Sequence, residues 1–116
     1  MTSEDKNYRE LEARRAFDRL GPIRVRAFLD AIQIEGGCLA IALVGEQLAE
    51  GATPEAIFFD GEKYGFSLNV KGRGRKFRIS FGCVAGPMAG DGGEWEVEFD
   101  RDGRVVRCEG DTIWRS

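Results

Sequence analysis

The chain has 116 residues, a formal net charge of −3, and an ordinary balance of 42% hydrophobic and 32% charged side chains. A chain of this length makes one domain that buries roughly two-thirds of its unfolded surface without metal or disulfide staples, and its composition excludes wholesale disorder. It contains no histidine, which removes the general base of Ser-His-Asp and Cys-His catalysis and the mixed ligand sets of many zinc sites.

The same inventory sets expectations for location and partners. No apolar run approaches the ~20 residues of a membrane span, so no membrane role is expected. The N-terminal Met-Thr-Ser-Glu-Asp-Lys is polar and acidic and does not read as a secretory signal. Cys38, Cys83 and Cys108 are odd in number and widely spaced. They read as reduced, mostly buried thiols of a cytoplasmic protein, with no metal and no cofactor implied. A net-negative chain does not draw in polyanions as a whole, so any anion site has to be a local patch.

In chain order, residues 5–20 are rich in strong helix formers and predict a helix. Ala13, Ala16, Phe17 and Leu20 share one arc of it, and Tyr8 and Leu11 lie off that arc. Gly21-Pro22 stops it and starts a second helix over 22–34, in which Val25, Phe28, Leu29 and Ile32 follow the i, i+3, i+4, i+7 rule. After Gly36-Gly37 comes an apolar run whose Glu-Gln-Leu-Ala-Glu-Gly ending favours a helix over 38–50. A strand over 38–44 competes with it. Thr53-Pro54-Glu55 is a helix-start signal, yet Ile57-Phe58-Phe59-Asp60-Gly61 reads as a short strand over 56–59 and a tight turn.

From there the period is 2. Residues 63–70 put Tyr64, Phe66, Leu68 and Val70 on one face, with Lys63, Gly65, Ser67 and Asn69 on the other. Residues 76–84 point Phe77, Ile79, Phe81 and Cys83 inward, and 94–100 point Trp95, Val97 and Phe99 inward. An Asp-Arg-Asp-Gly turn leads to 104–109, and a last short strand over 112–114 closes the pattern. The glycine-rich segment 85–93 reads as a flexible inter-strand loop. Trp95, Trp114 and the three cysteines are expected in the core. The sum is an α+β domain spanning 1–116, with a helical layer over about 5–50 and a sheet over about 56–115. About three helices cover one face of a four- to six-stranded antiparallel meander.

Two charged features are candidate sites. Lys71, Arg73, Arg75, Lys76 and Arg78 surround a glycine-bearing hairpin turn and form a candidate nucleic-acid or anion site. A phosphate loop of the P-loop kind is excluded, because neither a helix nor Gly-Lys-Ser/Thr follows the glycines. Glu94, Glu96, Glu98 and Asp100 share one strand face and form a candidate partner-binding stripe. Ion pairs to Arg78 on one side and Arg104 or Arg107 on the other are the economical alternative. Helical arginines are interleaved with acids, and Glu10–Arg14 is an expected i, i+4 pair.

No catalytic constellation survives, so the expected function is a small non-catalytic binding protein acting through protein–protein contact, of adaptor, inhibitor or immunity type. A nucleic-acid-binding role for the hairpin ranks second and a small-molecule site third. Homo-oligomerisation stays open.

Overall fold

The computed structural model describes residues 3–59, 64–86 and 89–115. Four helices come first: α1 (Ser3–Leu20), α2 (Pro22–Glu35), α3 (Leu39–Ala49) and α4 (Pro54–Phe59). Four strands follow: β1 (Gly65–Arg73), β2 (Lys76–Gly86), β3 (Ala89–Phe99) and β4 (Val105–Arg115). The sheet is antiparallel in the order β1-β2-β3-β4, the plain meander expected of an α+β domain with its helices first.

The alternation in the strands sorts the two sheet faces. Phe66, Leu68, Phe77, Ile79, Phe81, Cys83, Trp95, Val97 and Phe99 are all buried beneath the helices. Val25, Phe28, Leu29 and Ile32, the predicted stripe of α2, are fully buried against them. Aromatic edges knit the layers: Phe28 meets both Phe81 and Trp95, and Phe58 of α4 meets Phe66 and Phe81. Such pairs add about 0.5–1.5 kcal/mol each beyond their area. Of the two readings of the apolar run after Gly36-Gly37, the helix is found, as α3 (Leu39–Ala49), with Ala40, Ile41 and Val44 buried.

Three expectations are corrected. Residues 56–59 are helical, not a strand. Thr53 Oγ1 accepts the Ala56 amide at 3.2 Å, capping α4 with Pro54 as its first residue. Ile57 and Phe58 are both buried, which one face of a strand cannot give to consecutive residues. The described residues of the glycine-rich segment are strand and not loop. Phe81 pairs with Gly93, Gly82 with Gly92, Cys83 with Asp91 and Val84 with Gly90, so β2 and β3 run through it. Finally, the two strands expected over 104–109 and 112–114 are one, β4 (Val105–Arg115), with register shifts opposite Gly92/Gly93 and Glu98/Phe99. The expected turn at 60–61, the position of Lys63 and the side chain of Trp114 lie outside the described residues.

The two edges of the sheet differ. On the β1 side α1 runs alongside: Arg9 packs against Gly65, Glu12 accepts from the Asn69 side chain, and Arg19 Nη1 donates to the Gly72 carbonyl at 2.8 Å. A covering helix is one of the ways natural sheets close an edge. On the other side, among the described residues, β4 pairs with β3 alone.

Candidate functional site

The basic hairpin is built by glycine. Gly74 has φ +73 and Arg75 does not have a positive φ, the pattern of a two-residue II′ turn between Arg73 and Lys76. Gly72 has φ +111, and a Cβ there would sit 2.6 Å from the Lys76 carbonyl oxygen. Backbone in this conformation needs glycine.

The helices then grip the turn. Arg19 holds the Gly72 carbonyl, and Arg24 Nη1 donates to the Gly74 carbonyl at 3.1 Å. Arg24 also caps the end of α1, donating to Leu20 O at 2.6 Å and Arg19 O at 2.9 Å. Its guanidinium lies 5.0 Å from the Phe77 ring centre and 5.6 Å from that of Phe99. One arginine therefore ties α1, α2, the hairpin tip and the sheet together. Phe99 donates its amide to Arg75 O at 2.8 Å, which brings the β3–β4 turn beside the same tip. Gly103 of that turn faces Ile23 and Arg24 at contact distance.

This assembly gathers Arg19, Lys71, Arg73, Arg75 and Lys76 with the exposed Arg101 and Arg104 at one end of the molecule. Ile23 stands among them at 72% exposed. A groove of about 490 Å³ opens here, lined by Arg19, Arg24, Arg73 and Phe77 between the two glycines. The sequence indicated the five hairpin cations. It did not indicate Arg19, Arg24 or Ile23, which meet the hairpin only through the packing of α1 and α2.

The hairpin cations are not equivalent. Arg78 Nε sits 3.2 Å from Glu94 and its Nη2 2.6 Å from Glu96. The hydrogen bond to Glu96, then the charges of Glu94 and Glu96, hold this guanidinium more firmly protonated than usual. Lys76 lies 3.9 Å from Glu98. Lys71, Arg73 and Arg75 make no ion pair among the described residues, so they are the cations open to a partner.

The acidic stripe is correspondingly neutralised. Glu94 and Glu96 share Arg78, and Glu98 faces Lys76 across the β2–β3 ladder. Asp100 has left the strand. Its Oδ1 accepts the amides of Asp102 and Arg104, both at 2.9 Å, and these bonds hold its carboxyl below the usual range. On β4, Arg107 pairs with Glu109 of its own strand at 2.9 Å, and the bond lowers the Glu109 pKa. The expected Glu10–Arg14 pair does not form; Arg14 lies over the Phe59 ring at 4.7 Å. The i, i+4 ion pair found is Arg26–Asp30, at 3.1 Å.

A third feature went unread in the sequence. Asp91 is buried, and its carboxylate accepts the amides of Leu39 at 2.7 Å and Ala40 at 2.8 Å. A strand residue thus caps the N-terminus of α3, satisfying orphan amides and complementing the helix dipole. Cys83, its partner across the ladder, is pushed up to about 11, first by burial and then by the Asp91 charge. Burial raises Cys38 as well. Both remain neutral thiols near pH 7, the form that is a poor nucleophile. Among the described residues no group of three or more cysteines and carboxylates is placed to hold a metal ion, and no single helix is long and apolar enough to cross a membrane. No family model, no curated protein and no solved structure matches this chain.

Proposed function

We propose that this chain is a non-catalytic, cytoplasmic binding protein of the adaptor or inhibitor kind, and that it meets an acidic protein surface with its cationic end. The observation that carries this reading is the combination at that end. Lys71, Arg73 and Arg75 make no ion pair among the described residues and sit on a turn held by Arg19 and Arg24, and Ile23 is an exposed apolar side chain beside them. An apolar contact ringed by arginine is the composition of a protein interface centre. A phosphate backbone would use the cations and leave Ile23 idle, and the net charge of −3 weakens any general attraction to nucleic acid. Pairing of Glu94, Glu96 and Glu98 with Arg78 and Lys76 argues against a version in which the stripe mimics a polyanion.

Nucleic-acid binding is the second reading, supported by the same three cations. Two variants separate them. Fluorescence anisotropy is measured with an acidic peptide of about 15 residues carrying two leucines, and with short single- and double-stranded DNA and RNA, at about 50 and 200 mM salt. For a protein partner, Arg73→Ala plus Arg75→Ala and, separately, Ile23→Ser each weaken peptide binding. For nucleic acid, binding falls steeply with salt, is lost in the double arginine variant and ignores Ile23→Ser. If neither probe binds at low salt, the assignment of this end as a contact surface is wrong.

A further inference from the structure

The two edges of the sheet are finished differently. β1 is closed by α1, and among the described residues β4 pairs with β3 alone. Between its two register shifts β4 is regular, and it presents Arg107 and Glu109 on the outer sheet face, each more than half exposed. Val106 is 58% exposed beside them. We propose that β4 pairs antiparallel with β4 of a second copy of this chain, centred on Cys108, to give a continuous eight-stranded sheet with a twofold axis.

The occupant follows from charge and from the period of a strand. Residues opposite one another in an antiparallel pair lie on the same face, so a twofold pairing keeps the sum of partnered residue numbers even and constant. Centring on Cys108 sets Arg107 opposite Glu109 of the other copy, twice, and forms an alternating ring of four charges. Centring one residue earlier, on Arg107, or one later, on Glu109, sets like charges opposite each other, which is destabilising. Centring on Glu109 also sets Arg107 opposite Asp111, but of the three registers the one centred on Cys108 alone opposes no like charges, and it is self-complementary, as an isologous contact must be. The existing Arg107–Glu109 pair within the strand holds both side chains on the face where the ring would form. A contact this short buries less than a standard interface, so the dimer dissociates on dilution.

The test is sedimentation velocity of the full chain from about 10 µM to 1 mM. The wild type shifts from monomer to dimer. Arg107→Glu and Glu109→Arg, each of which places like charges opposite one another twice, raise the dissociation constant by about tenfold or more. The double exchange, Arg107→Glu with Glu109→Arg, restores it, because the ring is rebuilt with its signs reversed. Circular dichroism establishes that the exposed-site variants remain folded. A short bismaleimide gives a second readout: it links Cys108 to Cys108 of the other copy, and the covalent dimer disappears in Cys108→Ser. A chain that stays monomeric throughout, or a dimer indifferent to the single reversals or not restored by the exchange, overturns the proposal.

Discussion

Replacing Asp91 by alanine removes a buried carboxylate that holds the Leu39 and Ala40 amides at 2.7 and 2.8 Å. Each bond from an amide to a charged group contributes about 1.5–3 kcal/mol. Relief of the carboxylate's own burial offsets part of this, and the net loss should be about 2–4 kcal/mol, at or above the upper end for an N-cap. A small domain has only about 5–15 kcal/mol in hand. The expected fall in Tm is therefore roughly 10–20 °C. Asp91→Asn keeps one acceptor oxygen and the shape of the side chain, and should lose about half as much. Urea unfolding followed by the fluorescence of buried Trp95 measures both, with m unchanged if only the native state is affected. Hydrogen exchange localises the effect: the Leu39 and Ala40 amides should lose protection first. An alanine variant within about 0.5 kcal/mol of wild type would refute the argument that this carboxylate caps α3.

Other consequences can be checked with the same unfolding assay. Arg24→Ala strips hydrogen bonds from Leu20 O, Arg19 O and Gly74 O and uncovers Phe77, and should destabilise by about 2–3 kcal/mol. Arg24→Lys should recover little of this, because an ammonium cannot span those carbonyls with a planar fork. Gly72→Ala should cost at least about 1–2 kcal/mol through its positive φ and the collision with the Lys76 carbonyl, and equal stability would mean the turn is not built as described. Cys83 binds its proton more tightly when folded, at about 11 against an ordinary 9.0. Its contribution is fully present below pH 9 and is lost as pH rises through about 11. The alkaline fall in stability should be shallower in Cys83→Ala; identical slopes would remove the thiol from the account.

The sheet was legible because one of its faces is dry. Phe77, Ile79 and Phe81, or Trp95, Val97 and Phe99, cannot shift by one residue without exposing every aromatic, so alternation alone fixes both period and face. The Arg78–Glu94–Glu96 cluster followed from the same alternation once the strands were adjacent. α4 was misread because a short apolar run fits either period, and the decisive contact is Thr53 Oγ1 on the Ala56 amide. The β2–β3 ladder through the glycines was misread because glycine usually marks a loop. Here Gly92 and Gly93 are buried strand residues that follow Asp91, whose carboxylate holds the start of α3 against the sheet. Arg24 and Gln33 gave no local signal at all. Gln33 lies off the apolar arc of α2, yet it packs against Gly45 and its Nε2 donates to Ile41 O at 2.8 Å, filling the α2–α3 contact. Side chains of this kind are chosen by elements distant in sequence, and no period records them.

The helix along β1 also limits how the molecule can grow. A sheet open at both edges adds copies of itself without end, since each addition presents a fresh strand, and the product is a fibre. With α1 seated through Arg9, Glu12 and Arg19, the β4 side is the edge open to strand addition among the described residues, and the twofold pairing proposed for β4 would use it up. Cleavage that released α1 would leave most of the core residues in place, yet it would convert a particle of finite size into a polymerising one.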